Sequence, residues 1–308
     1  MSVSPLEEIA RRLGDRIQRD VPLGPLTTYR VGGSAALYLD ATSILDLVAL
    51  GEALADRPVP VVVVGKGSNL LVLDGGFAGV AVRLGESFSE VTIDATSVVA
   101  GGAALLPVVA RRTAAAGLTG FEWAVGVPGT IGGAVRMNAG GHGSDMAASL
   151  VSIRQIDLIG GDHGEVPAAQ LALSYRSSNL ATTTVVLEAT LSLSEGDPAT
   201  SAAEIDEIVR WRRANQPGGA NAGSVFTNPP GDHAGRLIDD AGCRGLRIGT
   251  AEVSTKHANF LQADPDGRAD DILALMHEVQ RRVADRFGID LYPETHVVGV
   301  AADSEDRL

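Results

Sequence analysis

Val59-Pro60-Val61-Val62-Val63-Val64-Gly65-Lys66-Gly67-Ser68-Asn69-Leu70 is the stretch that decides the fold. A valine run bounded by proline and glycine is the pattern of a buried strand, because β-branched side chains pack well on a pleated surface. The strand runs straight into Gly-x-Gly-Ser-Asn. Glycines let a backbone approach a phosphate, and successive N–H groups, helped by Ser68 and Asn69, can donate to its oxygens. The loop is not a P-loop, since the Gly-x4-Gly-Lys-[Ser/Thr] spacing is missing. It is not a dinucleotide fingerprint either, since Leu70 stands where a third glycine belongs. By itself it reads two ways, as a pyrophosphate cradle or as a plain strand-to-loop turn.

Working outward, residues 5–19 carry a helical pattern through Leu6, Ile9, Ala10, Leu13 and Ile17. Residues 43–55 form a second helix that leads into the valine strand, and short strands fall at 36–39, 79–84, 91–93 and 97–100. Strand, helix and strand in alternation make a small α/β unit. Residues 105–116 read as a helix ended by Gly117. Residues 126–134 are too rich in glycine for a stable helix interior. Strands resume at 151–158 and 184–193, and the polar segment 194–200 marks a domain boundary. A helix at 202–214 precedes a long loop at 215–232. The clearest helix is 270–287: Ile272, Leu275, Met276, Val279, Val283 and Phe287 repeat by threes and fours. Asp270 and Asp271 favour its start and Gly288 stops it. Residues 303–308 form a short charged tail.

Composition narrows the function classes. The chain has 308 residues and a formal net charge of −13. That balance excludes a protein built to neutralise nucleic-acid phosphates, and equally a polybasic membrane patch. Aromatic residues make up only 4%, too few for rows of stacking rings. Glycine, with 37 residues, is well above its average share of about 7% and needs loops or close backbone–ligand approach to explain it. A single cysteine, Cys243, allows no internal disulfide, dithiol redox pair or cysteine zinc cluster, and fits a small core filler. The first twenty residues are interrupted by Glu7, Glu8, Arg11, Arg12, Asp15, Arg16, Arg19 and Asp20, leaving no signal-peptide core. The run at 59–64 is too short to cross a bilayer. The expectation is a soluble, cytoplasmic enzyme of two or three domains with neither nucleic-acid nor membrane partner.

A second glycine cluster, Gly126-Val127-Pro128-Gly129-Thr130-Ile131-Gly132-Gly133-Ala134, is followed by Met137-Asn138-Ala139-Gly140-Gly141. Two such loops suggest a long phosphate-bearing ligand lying against backbone, although each alone is also an ordinary architectural turn. Arg176, in Tyr175-Arg176-Ser177-Ser178, is either a surface charge or a bidentate grip on carboxylate or phosphate. Ser224 lies at a glycine-marked junction of loop and strand. The nucleophile elbow Gly-x-Ser-x-Gly is absent, because Phe226 takes its last place. A serine that gives its proton to a strongly basic carbanion needs no activating base, so that role stays open. None of the six histidines has metal-site spacing, and no metal is expected. His257 reads as a hydrogen-bonded structural group or a ligand contact. Glu294 reads as a solvated carboxylate near a strand end.

The order of these motifs is more informative than any one of them. Thr28-Tyr29-Arg30-Val31-Gly32-Gly33, the Gly65–Val72 segment, the 126–134 cluster and Met137-Asn138-Ala139-Gly140 resemble the FAD-binding half of the UDP-N-acetylenolpyruvoylglucosamine reductase family. Tyr175-Arg176, Ala222-Gly223-Ser224-Val225-Phe226, Ala234-Gly235-Arg236-Leu237-Ile238, His257-Ala258-Asn259-Phe260 and Pro293-Glu294 continue the resemblance into its catalytic half. The resemblance runs from about residue 22 to about 300. It implies an α+β fold: a two-lobed FAD-binding domain of the vanillyl-alcohol-oxidase/CO-dehydrogenase-flavoprotein type, with lobes at 1–85 and 86–200, and a C-terminal α/β substrate-binding domain at 201–308.

The resemblance also implies a reaction and a site. NADPH reduces bound FAD, and hydride then passes from flavin N5 to the vinyl carbon of UDP-N-acetylglucosamine enolpyruvate, giving UDP-N-acetylmuramate for peptidoglycan. Arg176 is implied to stabilise the developing enolate, Glu294 to polarise the substrate carboxylate, and Ser224 to protonate the carbanion. The implied cofactor residues are Arg30, Gly65, Lys66, Gly67, Ser68, Asn69, Leu70, Gly126, Pro128, Gly129, Thr130, Gly132, Gly133, Asn138, Ala139 and Gly140. Tyr175, Asn228, His257 and Asn259 are implied to bind the sugar-nucleotide substrate, in a monomer. Only 48 positions separate Arg176 from Ser224, which suits the compact form of the family, without the extra tyrosine-bearing lobe. Four places depart from the family pattern: Lys66 stands for a glycine, Thr227 for a basic residue, Arg136 for an apolar or tyrosyl one, and Gln262-Ala263-Asp264 for an apolar run. A flavin oxidase of the same superfamily acting on another substrate, and a non-catalytic nucleotide-binding relative, are the competing readings.

Overall fold

The computed structural model describes residues 4–161 and 163–302. The charged tail expected at 303–308 lies outside the described residues. Contacts divide the chain into two units. One holds the described residues up to Arg19 with Leu37–Lys66 and Gly79–Arg212. The other holds Asp20–Ala36, Gly67–Ala78 and the chain from Arg213 on.

The first unit is built on two sheets. A four-stranded sheet has the order Ile17–Pro22, Ser34–Ala41, Phe77–Leu84, Val61–Val63, and its last pair is parallel. Helices α1 (Pro5–Leu13) and α2 (Ile44–Asp56) contribute Ile9, Leu47, Leu50 and Leu54 to a core shared with Leu37, Leu39, Val80 and Val82. A five-stranded antiparallel sheet has the order His163–Pro167, Leu150–Asp157, Thr184–Ser192, Ser97–Gly101, Val91–Asp94. It forms a second core with α3 (Leu106–Ala115), α4 (Ile131–Arg136) and Ile205 and Ile208 of α5 (Pro198–Asn215).

Two sequence expectations are corrected here. The helical pattern over 5–19 stops at Leu13, where Gly14 turns the chain with φ 54°, and Ile17 opens a strand instead. The glycine-rich 126–134 segment does contain the start of a helix, α4. Thr130 caps it by accepting from the Gly133 N–H at 3.3 Å, and the Gly132 N–H donates to the Gly102 carbonyl at 2.9 Å. A Cβ on Gly132 would lie 3.1 Å from that carbonyl, so close packing overrides helix propensity.

The second unit has its own core, formed by α6 (Ala234–Asp240), α7 (Ala269–Phe287) and a three-stranded antiparallel sheet of Arg247–Ile248, Ala251–Val253 and Leu261–Ala263. As the 3,4-periodicity predicts, Ile272, Leu275, Met276, Val279 and Val283 are buried, while Phe287 at the end of the repeat is only partly so. Each such side chain contributes about 1.5–3 kcal/mol on burial. The Leu70–Val72 strand pairs in parallel with His296–Val298.

Just beyond that strand, the Asp74 carboxylate accepts from the Ala269 and Asp270 N–H groups at 3.0 and 3.2 Å. These are donors that the first turn of α7 leaves without helical partners, and a carboxylate there also meets the positive end of the helix dipole. Asp74→Ala is expected to lower stability by about 1–2 kcal/mol. Chemical denaturation checks it, and a midpoint indistinguishable from the parent would refute the capping role.

Candidate active site

The first unit contains a cavity of about 350 Å³ at the end of the valine strand. Five of the expected cofactor residues line it: Gly65, Lys66, Thr130, Gly132 and Gly133. A Cβ on Gly65 would lie 2.6 Å from Thr130 Oγ1, so a side chain there would both clash and fill the cavity. The amide N–H groups of Gly65 and Lys66 donate to no acceptor among the described residues. Backbone amides left open along a glycine loop are donors suited to phosphate oxygens. Lys66, Arg83 and Arg136 bring three cations to a wall that has one carboxylate, Glu86. In a chain of net charge −13 this local balance favours an anionic ligand. The residues present therefore fit a dinucleotide cofactor.

Arg83 and Gly102 also line this cavity; no local motif marks them, and they reach it through sheet pairing. Other expected cofactor residues do not line it. Gly126 faces the His142 ring and Ile208, and the Gly129 carbonyl accepts from the Leu106 N–H. Pro128 is exposed beside them. Ala139 and Gly140 pair with the Asp145–Met146 segment.

Asn138 is buried with φ 38°. Its side-chain oxygen accepts from the Ala147 N–H at 2.9 Å, and its amide donates to Asp145 at 3.2 Å and to the Ser174 carbonyl at 3.0 Å. Ser174 and Ser177 bond to each other through both backbone groups and enclose Tyr175 and Arg176 in a tight turn. Arg176 sits there in the left-handed region, φ 56°, with its guanidinium 5.3 Å from the Tyr175 ring centre. The Ser178 hydroxyl fixes the other flank by donating to the Arg136 carbonyl at 2.7 Å. Arg136 in turn donates to the carbonyls of Leu180, Ala181 and Thr184, which accounts for an arginine at this position.

The second unit brings Ser224 and Glu294 onto adjoining segments. Phe226 and Pro293 form a bridge, and the Glu294 N–H donates to the Val225 carbonyl at 2.7 Å. Asn69 Nδ2 donates to the Glu294 carbonyl at 2.9 Å, which ties the glycine loop to the same place. Gly67 has φ 62°, and a Cβ there would come within 2.3 Å of the Leu26 carbonyl, so this position requires glycine. Ser68 is partly exposed in the same loop, and Leu70 opens the strand that follows. Arg30 is exposed with φ 60°, its N–H held by Thr27 Oγ1. Thr227 spends its hydroxyl on the Tyr292 carbonyl, so it tightens the Glu294 segment where the family pattern has a basic residue. Asn228 Oδ1 accepts from the Ala234 N–H at the start of α6.

Asn259 bonds to Phe226 through both ends of its carboxamide, and its own N–H donates to His257 Nδ1 at 3.2 Å. That bond needs Nδ1 unprotonated. Burial, with a lesser push from the Arg244 charge, holds the His257 imidazole below its ordinary value of 6.5. The folded chain thus binds this proton less readily than the unfolded one. The stability involved is complete above 6.5 and is lost as pH falls through that value towards the depressed one. Denaturation midpoints are expected to fall between about pH 7.5 and about pH 5.5, and His257→Gln is expected to shallow that fall; parallel slopes would rule the effect out.

The class comes first, that of FAD-binding proteins: residues 35–165 match the family model described as FAD binding domain, and the cavity lies within that match in part. Residues 215–298 match the model described as UDP-N-acetylenolpyruvoylglucosamine reductase, C-terminal domain. The chain is 43% identical to the UDP-N-acetylenolpyruvoylglucosamine reductase of Paramagnetospirillum magneticum over 98% of each sequence. It is 45% identical to that of Acidiphilium cryptum over 92% of each. The crystal structure of UDP-N-acetylenolpyruvylglucosamine reductase from Thermus caldophilus superposes with a TM-score of 0.80 at 35% identity, covering 92% of this chain and 99% of that one. The chain belongs to the UDP-N-acetylenolpyruvoylglucosamine reductase family.

Proposed function

We propose that the chain reduces UDP-N-acetylglucosamine enolpyruvate to UDP-N-acetylmuramate in peptidoglycan synthesis, with FAD as cofactor and NADPH as reductant. The observation that carries this is the family relationship over nearly the whole length. The cavity beside Gly65, with its glycine walls and three cations, supports the cofactor. FAD is assigned to lobes 1–85 and 86–200, through the loop Gly65 to Leu70, Arg30, the 126–133 cluster and the backbone of Asn138, Ala139 and Gly140. The sugar nucleotide is assigned to 201–308 and to Tyr175, with Asn228 and His257 on the substrate side and Asn259, which the family resemblance also implies, taken up below.

When bound and reduced by NADPH, FAD would supply the hydride equivalent that the vinyl carbon of the substrate takes up. The π electrons move to the carbon that bears the carboxylate, and this chain's residues manage the resulting charge and proton. Arg176 faces the growing negative charge with a planar fork of donors that needs no reorganisation. Glu294 polarises the substrate carboxylate by a hydrogen bond, a role that requires its own carboxyl protonated or a bridging partner between the two. Ser224 Oγ delivers its proton to the carbanion carbon, closing the new C–H bond, and recovers a proton from solvent. No helix among the described residues is long and apolar enough to cross a membrane. We place the enzyme in the cytoplasm as a monomer.

The test is an anaerobic flavin titration. NADPH should bleach the yellow protein, and the enolpyruvyl substrate should restore the colour as UDP-N-acetylmuramate forms. Bleaching without return would point to another acceptor. A colourless protein that cannot be loaded with FAD would remove the reading.

A further inference from the structure

Asn259 is expected from the family resemblance to touch substrate, yet its side chain is directed elsewhere. It is 3% exposed. Its Oδ1 accepts from the Phe226 N–H at 3.0 Å and its Nδ2 donates to the Phe226 carbonyl at 2.8 Å. Its own carbonyl accepts from the Val225 N–H at 2.9 Å. Three bonds from one residue thus grip the two residues that follow Ser224. The opposite side of the same segment carries Glu294, whose N–H bonds to the Val225 carbonyl, and Asn69 closes the row on the Glu294 carbonyl. Before Ser224 the chain turns at Gly223, φ 76°, whose N–H donates to Asn221 Oδ1 at 3.1 Å, and after it the grip falls on Val225 and Phe226.

We propose that Asn259 is a positioning residue: it sets Ser224 and Glu294 through the backbone of Val225 and Phe226 and does not bind substrate. The proposal rests on the roles assigned above to Ser224 and Glu294. A buried carboxamide paired at both ends behaves as one more rung of a β-ladder, and only glutamine, one methylene longer, carries the same pair of groups. Aspartate keeps the acceptor but sets an oxygen against the Phe226 carbonyl. Serine cannot span both groups.

The experiment is a double-mutant cycle on the FAD-loaded full chain with Ser224→Ala, Asn259→Asp and the pair. Flavin reoxidation by the enolpyruvyl substrate and KM are measured together, with amide hydrogen exchange over residues 224–227. Asn259→Asp is expected to slow reoxidation about tenfold or more with KM changed less than about twofold, because small misplacements of a reacting group are costly. In the Ser224→Ala background most of that loss should vanish, since residues acting as a unit are not additive. Exchange over 224–227 should quicken. A loss of equal size in both backgrounds, or a raised KM with kcat kept, would overturn the proposal. If Ser224→Ala itself leaves reoxidation unchanged, the proton-delivery reading falls separately, and exchange decides: faster exchange sustains the grip on this segment, unchanged exchange overturns it. If Asn259→Asp does not fold, Asn259→Ser takes its place in the cycle.

Discussion

Ser224→Ala is expected to slow reoxidation of the reduced flavin by the enolpyruvyl substrate by about 10²–10⁴-fold, the range a positioned proton donor contributes. Reduction by NADPH should proceed as before, because that half-reaction needs no proton at the carbanion carbon. The serine suits the task by being neutral and held. Its proton is too weakly acidic for most general-acid chemistry, but transfer to a carbanion is downhill. Its segment is pinned on one side by Asn259 and on the other by Glu294. Stopped-flow traces at two wavelengths separate the half-reactions. Equal slowing of both would show that the variant disturbs flavin binding, and no slowing of the second would remove Ser224 from the reaction. Ser224→Cys offers an intermediate point with a more acidic proton. The parent Cys243 is buried, so it does not complicate thiol measurements.

Arg176→Ala is expected to lower kcat by about 10²–10³-fold, comparable to removing one preorganised donor from a developing oxyanion. Arg176→Lys should recover only part of it, since an ammonium is a point charge without the planar fork. Arg176 holds φ 56° inside the Ser174–Ser177 turn, a conformation that costs an L-residue about 1–2 kcal/mol. Arg176→Gly should therefore lose the activity yet keep or raise the denaturation midpoint. Activity and stability moving in opposite directions is the signature of strain kept for function. A glycine variant less stable than Arg176→Ala would show that the turn is not strained. Asn138 and Ser178, which fasten the two flanks of the turn, account for how the strain is held.

Much of this was legible in the chain. The valine run, the helix at 270–287 and the glycine loop announce themselves because strand and helix periodicity are set by near neighbours. Ile17 reads as helix in the sequence and is strand in the fold, because one apolar residue fits the end of a helical repeat and the start of a strand equally well. Only Gly14, with its positive φ, separates the two. Helix α4 was hidden for the opposite reason. Its glycines lower local propensity, while the compensation comes from the distant Gly102 carbonyl and the Thr130 cap.

The sequence alone determined that two glycine loops, an arginine, a serine and a glutamate occur in one order, and with that order the family and its chemistry. Only the tertiary structure decided how the asparagines are used. Asn69, Asn138 and Asn259 each turn a carboxamide onto a carbonyl that lies 225, 36 and 33 residues away. A backbone carbonyl is the same group in every residue, so no side-chain pattern can name the one an asparagine will find. That partner is chosen by the folded path of the chain.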